Sequence, residues 1–297
     1  MTKKHKAFSL LEMSIVVIVI GILIAAITQG GALVASARIA SARSYTAKSV
    51  VPKIDGLIAW YETSLIDSLK NTETTENSQI SEWRDISPGS IISQKNKLTK
   101  TASSNVLYKS VGINNIPSLQ FDGSSSSSKI AISSFYQGTY SQFTVFLVFS
   151  PTATLSSKVI FSGSDGLTLI TLASSTTVQL NAGTADTTVT ANNSANFSIG
   201  KNYAMAAYFN SSASQVFINN AESRIGLDTS DGSPSGILST GSNVISGLTI
   251  GATSAGSNGF PGLISEVIIY NRPLKLEERR DVMRYLSKKY GITVSGI

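Results

Sequence analysis

Few side chains in this sequence could carry out catalytic chemistry. The chain has no cysteine, and its single histidine, His5, lies in a short basic N-terminal stretch. The missing cysteines exclude thiolate nucleophiles and thiolate metal sites. If the N-terminal stretch is removed, Ser-His-Asp catalysis and histidine-bound zinc are excluded as well. Carboxylates therefore remain as the candidate catalytic groups.

The carboxylates do not form an evident catalytic pair. Glu82 and Asp85 lie close together in the sequence, and Glu266 lies in an apolar, strand-like run. A glycosidase needs two carboxylates that converge on the scissile bond, and the sequence identifies no such pair. We interpret these three residues as structural and predict a protein without enzymatic activity and without catalytic residues.

Ligand binding has better candidates, because four aspartates lie in Gly- and Ser-rich turns. They are Asp122, Asp165, Asp228 and Asp231. Their carboxylates could supply the hard oxygen ligands that calcium prefers, but aspartates are also frequent in turns for backbone reasons alone. Calcium is therefore a candidate cofactor, and no metal site is assigned. Trp60 and Trp83 could stack on a sugar, although core packing is the stronger expectation.

The most unusual acidic residue is Glu12, near the start of an apolar run over residues 8–34. About 20 apolar residues cross a bilayer as a helix, so we expect residues 8–34 to span a membrane. Lys3, Lys4 and Lys6 precede the run, and the positive-inside bias keeps the N-terminus cytoplasmic. A carboxylate within hydrocarbon costs about 2.5–3.5 kcal/mol on insertion scales, which usually indicates a function.

The elements that would position these residues can be read from sequence periodicity. The apolar run continues through an alanine-rich stretch toward Pro52, which predicts one helix of ~40 residues, on the order of 60 Å long. Short β-rich runs such as FTVFLVFS and YAMAAYFN then alternate with turn residues, which is typical of an antiparallel sandwich. Leu276, Met283, Leu286 and Tyr290 fall near one face of a closing helix, and Gly291 favours its end.

The predicted fold class is therefore α+β: a long N-terminal hydrophobic helix, a mainly antiparallel β-sandwich and a short C-terminal helix. Only 14% of residues are charged, and the many hydroxyl side chains favour an extracytoplasmic β protein. The net charge of +6 comes largely from the N-terminal lysines and the closing helix. No basic stripe interleaved with aromatic residues is evident, so we expect no nucleic-acid partner.

The segment KHKA-FSLLEMSIVVIVIGILIAAI resembles the leader and first helix of type IV pilins and type II secretion pseudopilins. A short basic leader ends in Ala7, Phe8 follows, Glu12 is the fifth residue after the leader, and Gly21 stands at a glycine typical of the family. The resemblance implies a leader over residues 1–7, cleavage between Ala7 and Phe8 by prepilin peptidase, and N-methylation of Phe8. The helix would then occupy residues 8–52, with 8–34 in the membrane or filament core.

Glu12 has a physical role in such a filament. The amino group of a cleaved Phe8 is a cation, and pairing with Glu12 of a neighbouring subunit would offset the desolvation of both charges. A subunit added out of register would leave both unpaired. The chain departs from the family at Ala7, where glycine is usual, and at Gln29, where many major pilins have proline. The missing proline favours a minor pilin or a pseudopilin. The cysteine pair that is frequent in the family is also missing.

Residues of about 56–292 resemble laminin-G-like, concanavalin A-like jelly rolls, and we assign residues 53–297 to this domain. GLIAWYETS, ISEWRDIS and SLQFDG match the opening of such domains, and the stretch from FPGLISEVIIYN to the closing helix matches their end. The resemblance implies two packed sheets in Greek-key order and a glycan or protein ligand, sometimes with calcium. The Glu-x-Asp-x-x-Glu motif of related glucanases is missing from the sequence.

Three hypotheses follow, of which the third, a carbohydrate-active enzyme, has the least support because no catalytic carboxylate pair is evident. The first is a filament subunit, anchored in the bacterial inner membrane by a single span before assembly and then part of a periplasmic or cell-surface filament. Its partners would be other pilin subunits, prepilin peptidase, membrane lipid before assembly, and a surface glycan or protein bound by the displayed domain. The second is an inner-membrane-anchored lectin-like protein that never polymerises.

Overall fold

The computed structural model describes residues 9–88, 96–101, 105–124, 128–183, 189–192, 196–227, 241 and 243–297. A long helix, α1 (Leu10–Ala47), precedes two antiparallel sheets, and a short helix, α2 (Leu276–Tyr290), follows them. The predicted fold class is confirmed. Ala7, Phe8, Asp228 and Asp231 lie outside the described residues.

Helix α1 begins with a reciprocal cap. The Ser9 hydroxyl accepts a hydrogen bond from the Leu11 amide at 3.2 Å, and the Ser9 amide donates to Glu12 Oε2 at 2.8 Å. This capping box satisfies amides that the first helical turn leaves without partners. The helix ends at Ala47, five residues before the predicted stop at Pro52. The Ser49 hydroxyl accepts from the Val51 amide and helps start a separate 3-10 turn over Val51–Lys53.

The strands, numbered in chain order, form two sheets. The seven-stranded sheet contains β1 (Leu57–Glu62), β4 (Leu107–Lys109), β5 (Ser118–Asp122), β7 (Phe143–Pro151), β12 (Tyr203–Phe209), β13 (Gln215–Ile218) and β16 (Pro261–Tyr270). Its order is β13-β12-β7-β16-β5-β4, and β1 also pairs with β16. The long apolar run of β7 is buried along its whole length, which explains its central position.

The nine-stranded sheet is built from shorter strands. It contains β2 (Glu82–Trp83), β3 (Leu98–Lys100), β6 (Ile130–Ile132), β8 (Lys158–Gly163), β9 (Thr168–Leu172), β10 (Thr177–Ala182), β11 (Val189–Asn192), β14 (Gly226–Leu227) and β15 (Leu248–Ile250). Its order is β14-β11-β10-β9-β8-β15-β6-β3-β2. Burial alternates along β9 and β10, so one face of this sheet packs on the core.

Two apolar clusters stabilise the domain. The first lies between the sheets and includes Trp83, Phe121 and Phe149. The second lies on the outer face of the seven-stranded sheet, where α2 and the C-terminal part of α1 cover it, and it includes Ala42 and Trp60. Both helices therefore lie on the same face of the sandwich. The outer face of the nine-stranded sheet belongs to neither cluster.

Helix α2 agrees closely with the sequence expectation. Met283, Leu286 and Tyr290 are buried on its inner face, as the apolar spacing predicts, and Val282 is buried beside them. Leu276, predicted on the same face, is instead 40% exposed at the first residue of the helix. Gly291 ends the helix with a φ of 60° in the left-handed region, where glycine meets no side-chain penalty.

Candidate functional site

The N-terminal part of α1 projects its apolar side chains into solvent. The large apolar residues from Leu10 to Val34 whose exposure is described are between 48% and 90% exposed. Glu12 is also exposed and caps its own helix through Ser9. A helix bearing this much exposed apolar surface fits a role in contacts with another apolar phase or another chain.

Within the part of the chain that the structure describes, no helix has both the length and the apolar character required to cross a membrane. The span at residues 8–34 stays a prediction.

The C-terminal part of α1 is attached to the domain. Ala42 and Thr46 are buried against it. Arg38 donates to the side-chain oxygen of Asn114 at 2.7 Å, and Arg43 Nε donates to the carbonyl of Ser64 at 2.7 Å. These contacts fix how the exposed part of α1 leaves the sandwich.

A fully buried charge cluster joins α2 to the central strands. Glu62 of β1 and Glu266 of β16 occupy paired positions. Lys289 of α2 lies between them, with Nζ 2.8 Å from Glu62 Oε2 and 2.8 Å from Glu266 Oε2. Trp60 Nε1 donates to Glu266 at 2.7 Å, and the Tyr285 hydroxyl donates to it at 2.8 Å. We call Glu62, Glu266 and Lys289 the buried ionic cluster.

Contacts within the cluster favour the charged forms of Glu62 and Lys289. Burial acts to raise the pKa of Glu62, but the Lys289 ammonium and hydrogen bonds from Ser64 outweigh it and hold that pKa below its usual value. Burial acts to lower the pKa of Lys289, but attraction from Glu266 and Glu62 outweighs it and raises that pKa. Two carboxylates therefore converge here, but both are sealed from solvent and engaged by donors, as a structural cluster requires.

The sequence places Glu266 in an apolar, strand-like run but does not identify its partners. Glu62 is 204 positions away, and only the register of β1 on β16 brings the two together. The available signal was Lys289, a lysine beside Tyr290 on the apolar face of a helix. A buried lysine on such a face requires a carboxylate partner.

Glu82 and Asp85 occupy separate environments. Glu82 is buried at the edge of the nine-stranded sheet, with Lys97 Nζ at 2.9 Å and Arg84 at 2.7 Å. Asp85 accepts hydrogen bonds from the amides of Trp60 and Ser87, each at 2.9 Å. Burial raises the pKa of Asp85 above its usual value despite these bonds. Both tryptophans are buried, in agreement with the core-packing expectation.

The two described turn aspartates serve their own loops. Asp122 accepts from the amide and the hydroxyl of Ser124, at 2.9 and 2.7 Å. Asp165 accepts from the Leu167 amide at 3.0 Å and from the Asn243 side chain. Among the described residues, no group of three or more His, Cys, Asp or Glu side chains could hold a metal ion. The proposed calcium role of these aspartates stays a prediction.

The outer face of the nine-stranded sheet carries a cavity of about 410 Å³. The register aligns Thr99 of β3, Ala131 of β6 and Thr249 of β15 in one row, and all three side chains line the cavity. We call this cavity the hydroxyl groove, because apart from Ala131 and Ile132 its described lining consists of hydroxyl and ammonium side chains. Five of these lie beyond the row. They are Lys97, Thr101, Ser133, Ser164 and Ser254. Sequence analysis missed it, because it depends on register between strands distant in the chain.

Lysines stand at both ends of the hydroxyl groove. Lys97 directly precedes β3 and lines the groove. Lys129 directly precedes β6, which pairs antiparallel with β3, so it lies at the opposite end of this strand pair. Lys129 Nζ donates to the carbonyl of Ser254, a groove residue, at 2.7 Å. The arrangement suits a ligand that presents hydroxyls and negative charge.

Two family models match the chain. The prokaryotic N-terminal methylation motif matches residues 2–28, in agreement with the pilin resemblance. A model of the concanavalin A-like lectin/glucanases superfamily matches residues 122–278. No curated protein has significant similarity to the chain.

Solved structures with similar folds share little sequence. A GH54 α-L-arabinofuranosidase has a TM-score of 0.51 at 14% identity, covering 79% of this chain and 63% of that one. A botulinum neurotoxin type C structure has a TM-score of 0.50 at 14% identity, covering 80% and 52%. Domain 4 of the Geobacillus stearothermophilus arabinanase AbnA has a TM-score of 0.46 at 19% identity, covering 77% and 98%. At these identities the first two support the two-sheet fold alone.

The superfamily model covers more than half of the 297 residues and the sheets match its architecture. The chain therefore belongs to the concanavalin A-like lectin/glucanases superfamily, and it carries a prokaryotic N-terminal methylation motif ahead of its domain.

Proposed function

We propose that this chain is a minor pilin or pseudopilin: a subunit of a type IV pilus-like or type II secretion filament that displays a lectin-like domain. One observation carries the proposal. The apolar side chains of α1 from Leu10 to Val34 are exposed, whereas the C-terminal part of the same helix is fixed to the domain. An array of subunits can bury the exposed part in a shared core and leave each domain at the surface.

The N-terminal methylation motif supports the route into that array. Prepilin peptidase cleaves between Ala7 and Phe8, and the new amino group of Phe8 is methylated. The precursor is held in the inner membrane with its N-terminus cytoplasmic. In the filament, the Phe8 amine of one subunit pairs with Glu12 of another, so that neither charge stays alone in an apolar environment.

The displayed domain then serves adhesion or ligand binding. Its superfamily includes lectins, and the hydroxyl groove lies on the sheet face opposite the one that α1 and α2 cover. Assembly through α1 therefore leaves that groove accessible. The buried carboxylates Glu62 and Glu266 are sealed by Lys289, which supports a binding role over a catalytic one.

Mass spectrometry of the mature N-terminus tests the filament proposal. In cells with prepilin peptidase we expect a chain that begins at Phe8 with a methylated amine, and in cells without the peptidase an intact leader. Sheared filaments should contain the processed chain. An unprocessed N-terminus, or a processed chain that never enters filaments, would instead support the membrane-anchored, non-polymerising lectin-like protein.

A further inference from the structure

We propose that the hydroxyl groove binds an acidic saccharide, one that carries carboxylate or sulfate groups among its hydroxyls, without a metal ion. The inference rests on the proposed display function and adds the place and chemical class of the ligand. It differs from binding at Asp122 and Asp165, whose carboxylates accept hydrogen bonds from backbone amides two residues further along the chain.

The shape and lining of the groove support a saccharide. The floor of Thr99, Ala131 and Thr249 has short side chains and lies on strands, so it is shallow and rigid. Ser133 and Ser254 add hydroxyls at the walls. A hydroxyl both donates and accepts, which matches the alternating donors and acceptors of sugar hydroxyls. The volume of about 410 Å³ is within the range of small-molecule sites.

One further observation concerns a hydroxyl at the groove. The Thr101 side chain lines it, and within the described residues its buried Oγ1 has no hydrogen-bond partner. Buried polar atoms are rarely left in this state, and each such atom calls for an explanation. A small rotation about the Thr101 side chain on binding would give this hydroxyl a ligand oxygen as its partner.

The charge around the groove indicates an acidic rather than a neutral saccharide. Among the described residues that line the groove, Lys97 is the only charged one. Next to it, Lys70, Arg84 and Lys97 lie within 3.8 Å of the single carboxylate of Glu82, and Lys70 is also 3.8 Å from Glu73. Among these described side chains, three cations face the two carboxylates of Glu82 and Glu73, which leaves an excess of one positive charge. An anionic group on the ligand would neutralise this excess positive charge.

The test uses a matched pair of ligands and the full-length chain in detergent micelles. Tetragalacturonate supplies hydroxyls and carboxylates, and its methyl ester keeps the sugar but removes the charge. We expect tetragalacturonate to bind at least about tenfold more tightly than the ester, with affinity that falls as salt rises and does not change with EDTA. Equal affinities for acid and ester would overturn the acidic class.

Three variants locate the site. Lys97→Gln should weaken tetragalacturonate binding by about tenfold, since it removes one charge-assisted contact. Ala131→Phe keeps every charge but fills the groove floor, and it should abolish binding while the melting temperature stays near that of the parent chain. Lys288→Gln removes the same charge from an exposed position on α2, on the opposite face of the sandwich, and should leave affinity unchanged.

The remaining outcomes also decide the proposal. Loss of binding with EDTA would place the ligand at calcium-binding turns and overturn the groove. Equal affinity for duplex DNA would show a non-selective anion surface and overturn the saccharide assignment. Filament incorporation of the Lys97→Gln variant is measured in parallel. If the parent chain enters filaments normally but does not bind tetragalacturonate, only the inference about the groove is overturned. If the parent chain binds tetragalacturonate but its N-terminus is not processed, only the filament proposal is overturned.

Discussion

Lys289 and Glu62 form an ion pair with no exposure to solvent: Nζ of the helix residue lies 2.8 Å from Oε2 of the strand residue, and both side chains are 0% exposed. Glu266 accepts from the same ammonium. Tyr285, on the same helix, donates to Glu266 and lies 3.3 Å from the Thr46 hydroxyl of α1. The buried ionic cluster thus connects both helices to strands β1 and β16.

Removing the ammonium should be strongly destabilising. Lys289→Met leaves Glu62 and Glu266 buried beside each other without their cation, and breaking a buried pair in this way typically costs about 3–5 kcal/mol. We expect that loss in the free energy of unfolding from urea titration. The exposed neighbour substitution Lys288→Met should change it by less than about 0.5 kcal/mol.

A second substitution tests the cause of that loss. Adding Glu62→Gln to Lys289→Met removes one of the two uncompensated charges and should recover part of the lost stability. The contrary result is a double variant that is less stable than Lys289→Met by as much as Glu62→Gln alone destabilises the parent chain. Uncompensated charge would then not be the reason for the loss.

The same cluster should produce pH-dependent stability at both extremes. Burial opposes the charged form of Glu62, but Lys289 and Ser64 outweigh it and its folded-state pKa is lowered. The charged Glu62 side chain therefore contributes fully to the stability of the fold above pH 4.5, the usual pKa of a glutamate, and this contribution is lost as the pH falls through the lower folded-state pKa. The pKa of Lys289 is raised, so its contribution is complete below 10.5 and is lost as pH rises through the folded-state pKa.

Melting temperatures across pH measure this dependence. The parent chain should lose stability below about pH 4.5 and above about pH 10.5. The gap in melting temperature between Lys289→Met and the parent should be smaller at acidic pH, because the Glu62 carboxylate can become neutral. A gap between parent and variant that is constant from pH 3 to pH 8 would contradict the ionic basis of the cluster.

Local patterns in the sequence predict the elements but not their partners. The apolar run of Phe143–Pro151 and the cap at Gly291 are local signals, and both strand and helix end are confirmed. The pairing of Glu62 with Glu266 and the row from Thr99 to Thr249 depend on register between segments far apart in the chain. The alternation of apolar and polar residues along a strand predicts which face of that strand is buried. It does not predict which strand will pair with it, because that pairing is set only when the whole sandwich forms.

An orphaned hydroxyl in the domain offers a stabilising substitution. Thr168 is fully buried, and its Oγ1 has no hydrogen-bond partner among the residues that the structure describes. Thr168→Val replaces the hydroxyl by a methyl group of similar shape and removes the cost of burying an unsatisfied polar atom, about 1–3 kcal/mol. We expect a higher free energy of unfolding by about 1 kcal/mol in urea titration.

The partly exposed Thr171 on the same strand provides the matched control for that substitution. Thr171→Val should change the free energy of unfolding by less than about 0.5 kcal/mol. A loss of stability in Thr168→Val would mean that its hydroxyl has a partner, such as an ordered water.

Substitutions at Glu12 can separate its two roles. Its carboxylate caps α1 through the Ser9 amide, and in the proposed filament it also pairs with an amine of another subunit. Glutamine serves the same position of a capping box, so Glu12→Gln keeps the cap and removes only the charge. Glu12→Ala removes both. Neither should alter the melting temperature of the domain, because Glu12 is exposed and its hydrogen bond lies within its own helix.

If charge pairing specifies assembly, both variants should be processed normally yet be lost from sheared filaments, and immunoblots of sheared and cell-bound fractions measure this directly. If capping alone matters, Glu12→Gln should assemble like the parent chain and only Glu12→Ala should fail. Normal incorporation of Glu12→Ala would contradict both roles. The difference between the two variants thus assigns the carboxylate to its own helix or to a neighbouring subunit, because only the second role requires the negative charge itself.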